Sequence, residues 1–231
     1  MINIFFPRRC PVCDDVVRSS EGLICLHCRP RLKYITDPIC MKCGKKLMTA
    51  VEYCHDCIGR QHMYDRGMAL YDYRSIADSI YRFKYQGRRE YADFYGREMG
   101  KYLGEEIKSL QSDVLLPVPI HRQRMRERGY NQASVLAKAI SRELGIPVAD
   151  KLMIRQRKTT PQKELDPTER QNNLKKAFKI FRNDVKLDTV TVIDDIYTTG
   201  STIDAIAVEL RRVGVRRVYF VALSIGQGNL V

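Results

Sequence analysis

Two adjacent carboxylates, Asp194 and Asp195, lie between a short apolar run and a loop rich in hydroxyls. The stretch from Val190 to Thr202 reads VTVIDDIYTTGST. Its first part, Val190 to Ile193, is β-branched and suits a strand inside a parallel sheet. The loop Thr198-Thr199-Gly200-Ser201-Thr202 carries four hydroxyls and one glycine. Beyond it Ile203, Ile206, Ala207, Leu210 and Val213 share one face of a helix expected from Ile203 to Val213. A loop that opens a helix presents free backbone N–H groups and the positive end of the helix dipole, which suits a phosphate. Gly200 lets the backbone come close, and the hydroxyls add donors. Carboxylates at a strand's C-terminal end beside such a cradle suit the hydroxyls of a ribose, directly or through Mg²⁺. Two aspartates alone would read as capping or solvated groups. Strand, Asp-Asp, hydroxyl loop and helix in one run favour a sugar-phosphate site.

A second chemistry is written in the cysteines. All eight fall in four C-x2-C pairs: Cys10/Cys13, Cys25/Cys28, Cys40/Cys43 and Cys54/Cys57. Two residues between thiolates is the spacing of a metal knuckle, and two knuckles make one tetrahedral zinc site. The simplest grouping is sequential, the first two pairs on one Zn²⁺ and the last two on another; an interleaved grouping is the alternative. A disulfide framework would need an oxidising compartment, and no export signal is present. His27 and His55 lie inside knuckles and are expected as surface residues, because the cysteines already saturate two sites. A stretch of roughly 60 residues builds little core alone, so the two zinc sites are structural in this reading.

With 231 residues the chain has room for one sizeable core and a small module. The division expected is a double zinc ribbon over 1–62 and an α/β domain over 67–231, joined by the aperiodic stretch Gly59 to Gly67. No apolar run is long enough to span a bilayer, and the start MINIFFPRRC is too short in its apolar part for a secretory signal. The chain therefore reads as cytoplasmic, without a transmembrane segment. Forty Lys+Arg against 27 Asp+Glu give a net charge of +13, which favours polyanions: phosphorylated metabolites, nucleic acid or both.

The elements that must position the carboxylates alternate as strand and helix. Met68 to Tyr73 reads as a strand, followed by a helix capped by Ser75 with Ile76, Ile80 and Phe83 inward. A second helix is expected over about Tyr91 to Leu110. Val114 to Leu116 is a short buried strand ended by Pro117-Val118-Pro119. The basic loop from His121 to Gly129 follows, and a basic loop at a strand end suits pyrophosphate. By position His121 and Arg122 are the candidates, and contact with a nucleic-acid backbone is the alternative for the same charges. A helix over Tyr130 to Leu144, a strand over Lys151 to Ile154, a polar excursion from Arg155 to Asn173, an edge strand at Phe178 to Phe181 and a last strand at Val218 to Leu223 complete the series. Repeated βα units imply a parallel α/β sheet.

The run Val190 to Thr202 resembles the phosphoribosyl-pyrophosphate (PRPP) motif of type I phosphoribosyltransferases. That resemblance implies that Asp194 and Asp195 meet the ribose 2′ and 3′ hydroxyls, that Thr198, Thr199, Gly200, Ser201 and Thr202 hold the 5′-phosphate, and that Mg²⁺ accompanies PRPP. The cysteine knuckles, the run VPVPIHRQRMRERGYNQA and the spacing of Arg155, Thr159, Gln162, Leu165, Arg170, Asn173 and Phe178 extend the likeness over essentially the whole chain, which resembles the ComF family. The resemblance implies a type I phosphoribosyltransferase-like sheet preceded by a zinc ribbon. It implies that Arg155, Thr159, Gln162 and Arg170 belong to a flexible loop that closes over the site. It also implies a part in natural competence, handling incoming single-stranded DNA at the inner face of the membrane with a ComFA-type helicase. A transferase moving phosphoribosyl from PRPP to a base, and a scaffold that only holds partners, are the competing readings. In the transferase reading Mg²⁺ and basic groups stabilise the departing pyrophosphate, and no general base is assigned.

Overall fold

In a computed structural model of the chain, residues 7–18, 22–156, 177–181 and 186–226 are described. The organising element is a four-stranded parallel sheet. Its strands are β1 (Arg66–Asp72), β2 (Val114–Pro117), β5 (Thr189–Tyr197) and β6 (Arg217–Ile225), in the spatial order β1-β6-β5-β2. Two short strands, β3 (Met153–Arg155) and β4 (Phe178–Ile180), pair antiparallel beside it. The helices are α1 (His55–Ile58), α2 (Tyr73–Tyr85), α3 (Tyr91–Ser109), α4 (Arg122–Arg128), α5 (Gln132–Leu144) and α6 (Ser201–Arg212). None of the described helices is long and apolar enough to cross a membrane.

Side-chain alternation divides the core between the two faces of the sheet. Leu70, Ile193, Val221 and Leu223 pack with Ile80 and Phe83 of α2, Tyr95 and Met99 of α3 and Leu136 and Ile140 of α5. Ala69, Val190, Val192 and Phe220 face the other way, onto Ile203, Ile206 and Leu210 of α6. Each face also takes in cysteines. Cys10 and Cys28 belong to the first core, and Cys40, Cys43 and Cys54 to the second. Between the two sets, the chain at Lys33–Ile35 runs antiparallel along the free edge of β1: Ile35 N donates to Leu70 O (2.9 Å) and Asp72 N to Lys33 O (2.9 Å). The cysteine-rich front thus covers a sheet edge that would otherwise expose unpaired backbone groups.

Several elements depart from the sequence expectations. Asp72 rather than Ser75 caps the first turn of α2, its carboxylate accepting from Arg74 N (2.8 Å); the helix is kinked at Ile76 (φ −133°, ψ 16°), and Ser75 Oγ donates to Asp72 O (2.8 Å). The chain from Arg122 to Arg128, read as a loop, is a helical turn pair closed by Gly129 in the left-handed conformation (φ 73°). Strand β5 continues past Ile193 to Tyr197, because β6 supplies partners as far as Tyr197↔Ile225. At the far end of α6 Val213 lies outside the helix and is 38% exposed rather than core.

Candidate functional site

Strand β5 is hydrogen-bonded on both sides, to β2 and to β6, so its carboxyl end opens in the middle of the sheet. That is where an open parallel sheet receives a ligand. Asp194 pairs in register with Ala222 and is half-buried; Asp195 is buried. The chain leaves the strand at Tyr197 and turns through the hydroxyl loop into α6. Gly200 makes this turn at φ 79°, and a Cβ there would stand 2.7 Å from Tyr197 Oη and 2.9 Å from His62 Cε1. Both the backbone conformation and the lack of space demand glycine. Gly200 is the N-cap and supplies no side-chain acceptor to the first turn of α6. Asp194 and the loop from Ile196 to Ile203 line a cavity of about 30 Å³. Thr199 Oγ1 and Ser201 Oγ lie 3.1 Å apart at its rim.

The carboxylates are not equivalent. The Lys84 ammonium, from the last turn of α2, stands 2.6 Å from Asp195 Oδ2. Asp195 N donates to Asp194 Oδ1 (2.9 Å). Burial pushes the Asp194 carboxyl well above the ordinary carboxylate range, the neighbouring charge on Asp195 adds to this, and Lys84 opposes both. A cation or a set of hydroxyl donors placed here would favour the charged form of the pair.

Residues before β1 bind the hydroxyl loop from behind. Arg60 Nη1 donates to Thr199 O (2.8 Å). His62 is buried, stacks on Tyr64 (4.7 Å between ring centroids) and bonds through Nδ1 to Asp204 Oδ2 at 2.9 Å. Met63 N donates to the other Asp204 oxygen (2.8 Å), and the hydroxyls of Tyr64 and Tyr197 are 2.6 Å apart. Lys42, between Cys40 and Cys43, donates from Nζ to Tyr64 O (2.5 Å). The second cysteine cluster is therefore linked to the loop through a short strap.

At the end of β2, Val118 N donates to Ile193 O (2.9 Å), and Asn131 donates from Nδ2 to Val118 O (3.0 Å) while capping α5. The chain between them opens on a cavity of about 680 Å³, whose lining includes His121, Arg122, Lys138, Asp150, Lys151 and Arg155. His121 is the N-cap of α4 and accepts from Gln123 N at Nδ1 (3.2 Å), so its ring is committed to the helix start; Arg122 is exposed. Arg155 lies over the Phe178 ring, and burial and the Arg124 charge push its pKa down while Asp194 pulls it up. Thr159, Gln162 and Arg170 lie outside the described residues.

The thiols gather in two groups, Cys10/Cys13/Cys25/Cys28 and Cys40/Cys43/Cys54/Cys57, with all sulfurs of a group within 4.8 Å of one another. This is the sequential grouping, and the donor set and spacing are compatible with structural zinc in each.

Asp194 and Thr198 to Thr202 thus line one small cavity, whereas the Asp195 carboxylate meets Lys84 of α2; His121, Arg122 and Arg155 share the lining of the second cavity. Lys84 and His62 were not foreseen. In the sequence Lys84 stands near Arg88 and Arg89 with nothing to single it out, and His62 lies in the aperiodic stretch Gly59 to Gly67.

Two family models match the chain: "Double zinc ribbon domain" over residues 1–58 and "Phosphoribosyl transferase domain" over residues 131–226. Competence protein F of Haemophilus influenzae is 29% identical over 228 residues, covering 94% of this chain and 96% of that protein. Competence protein ComFC of Bacillus subtilis is 28% identical over 192 residues, 80% of this chain and 76% of its own. DNA utilization protein YhgH of Escherichia coli is 27% identical over 215 residues, 90% and 92% of the two chains. The parallel sheet is phosphoribosyltransferase-like, and a double-ribbon module precedes it.

Proposed function

We propose, from the premise that the chain belongs to the ComF family, that it handles incoming single-stranded DNA during natural transformation and carries a pocket for PRPP or a related sugar phosphate. The observation that carries the pocket is the carboxyl end of β5, where Asp194 and Asp195 stand beside a hydroxyl loop that opens α6. In this reading Thr198, Thr199, Gly200, Ser201 and Thr202 hold the 5′-phosphate with backbone and hydroxyl donors. Asp194 and Asp195 take the ribose hydroxyls, and Mg²⁺ supplies counter-charge to the pyrophosphate. Lys84 neutralises Asp195 until the ligand arrives. Each cysteine cluster holds one Zn²⁺, which fixes the front against the sheet and, through Lys42 and the strap, steadies the loop. The ribbon covers 1–62 and the phosphoribosyltransferase-like domain 67–231. The protein works on the cytoplasmic side of the membrane with a ComFA-type helicase.

Transfer of phosphoribosyl from PRPP to an acceptor is the second reading, and the roughly 680 Å³ cavity beside Arg122 and Arg155 favours it, since it has room for another molecule. Transformation frequency separates the functions. In a competent host lacking its own ComF-family protein, the wild-type chain should restore uptake, and Asp194→Asn with Asp195→Asn should not, at equal protein level. Full uptake with the double variant would make the pocket dispensable for competence.

A further inference from the structure

Helix α2 buries Ile76, Ile80 and Phe83 against the sheet, yet two of its aromatic side chains do not take part in that core. Tyr81 and Tyr85 are each 57% exposed. They stand one helical turn apart, with ring centroids 5.1 Å from each other and planes tilted by 45°. The Arg128 guanidinium, from the end of α4, lies 4.7 Å from the Tyr85 ring centroid and donates from Nη2 to Tyr85 Oη (3.0 Å). Arg89 lies 4.5 Å from the Tyr130 ring centroid and is exposed. Helix α4, RQRMRER, sets four arginines against one glutamate, and Glu127 accepts from Gln123 (2.9 Å). Arg122, Arg124 and Arg126 are exposed. The carboxylates nearest in sequence on the α2 side are Asp78, exposed, and Glu90, which pairs with Arg88 at 3.9 Å.

Exposed rings one turn apart, flanked by a helix whose guanidinium groups pair with no carboxylate among the described residues, have the chemistry of a surface for a strand whose bases are free to stack. A duplex keeps its base faces covered, so such rings serve it poorly. Resting on the reading that this protein handles single-stranded DNA, we propose that the strand crosses the C-terminal end of α2 and runs along α4. Its bases stack on Tyr81 and on Tyr85, whose ring Arg128 holds in place, and Arg124 and Arg126 meet its phosphates. Lys84, between the two tyrosines in sequence, has its ammonium on Asp195, so this surface borders the candidate sugar-phosphate site.

The test is fluorescence anisotropy of the full-length, zinc-loaded protein with a fluorescein-labelled oligothymidylate longer than about 16 nucleotides, the upper site size of a single stacking module. The wild-type protein should bind it, and bind a duplex of equal length more weakly. Tyr81→Ala with Tyr85→Ala should weaken binding at least about tenfold, while Tyr81→Phe with Tyr85→Phe, which keeps both rings, should stay within about twofold. Arg124→Gln with Arg126→Gln should lower the slope of log affinity against log salt by about 1.4, roughly 0.7 per phosphate contact to a single strand. Tight binding by wild type with no loss in the alanine pair overturns this surface and leaves the DNA reading intact. No binding by wild type overturns both. If the alanine pair does not fold, photocrosslinking of the wild-type protein to an iododeoxyuridine-substituted strand decides: crosslinks at Tyr81 to Tyr85 support the surface, and crosslinks only elsewhere refute it.

Discussion

Lys84→Met tests whether the Asp194–Asp195 pair is held charged by an internal cation. The ammonium is 2.6 Å from Asp195 Oδ2, and the two side chains are 17% and 11% exposed. At an effective dielectric of about 20 the Coulomb attraction over that distance is about 6 kcal/mol, before desolvation takes its share. Removing one partner of a buried pair costs about 3–5 kcal/mol, and the residual exposure lowers the expectation here to about 2–4 kcal/mol at neutral pH. Methionine keeps most of the apolar stem, so little of this is lost packing. The sign of the pH dependence follows from Asp194. Its folded pKa is raised, so its contribution to stability is present below the unfolded value and is lost as pH rises through the folded value. Without Lys84, which pulls that pKa down, the folded value rises further. The deficit of the variant should therefore shrink in mildly acidic buffer and grow towards alkaline pH. Urea unfolding of both proteins at several pH values measures it, and Asp195→Asn in the Lys84→Met background should restore most of the loss. A deficit below about 1 kcal/mol, the range of an exposed pair, or one that does not change with pH, would refute the reasoning.

Three further outcomes are expected. Gly67→Ala places a Cβ 1.9 Å from Phe220 Cε1, and the Phe220 ring is fixed by stacking on Tyr197 (4.5 Å) and edge contact with Tyr64 (5.0 Å). Thermal unfolding should show a loss of at least about 1–3 kcal/mol, partly recovered by adding Phe220→Leu. Asp204→Ala removes the acceptor for Met63 N and His62, and should cost about 1–3 kcal/mol while weakening PRPP binding measured by calorimetry. Chelation should expose eight titratable thiols and lower the melting temperature of the whole chain, because cysteines of each cluster sit in the core on one face of the sheet. A front that unfolds while the α/β melting transition stays unchanged would contradict this.

What was legible in the sequence was local chemistry and periodicity. The β-branched run before Asp194, the glycine of the hydroxyl loop and the C-x2-C spacing each state their backbone requirement within a few residues. Short intervals favoured the sequential cysteine grouping over the interleaved one, and the thiols gather in that way. What stayed hidden depends on partners distant in the chain. Lys84 reaches Asp195 across 111 positions (195 − 84), and nothing in helical spacing says which basic residue of the group turns inward. The strap at Arg60 to Asp65 lacks an apolar period because Arg60, His62 and Asp65 work through polar contacts with the loop and α6 rather than through a buried stripe. Strand β5 outran its β-branched core because pairing with β6, not propensity, sets its end.

The most direct measurement is isothermal titration of PRPP with Mg²⁺ into the zinc-loaded protein and into the Asp194→Asn, Asp195→Asn variant. Saturable binding by the wild type, lost in a variant whose circular dichroism is unchanged, is the predicted result. No heat with the wild type, or equal affinity in both proteins, would contradict a sugar-phosphate pocket at the end of β5.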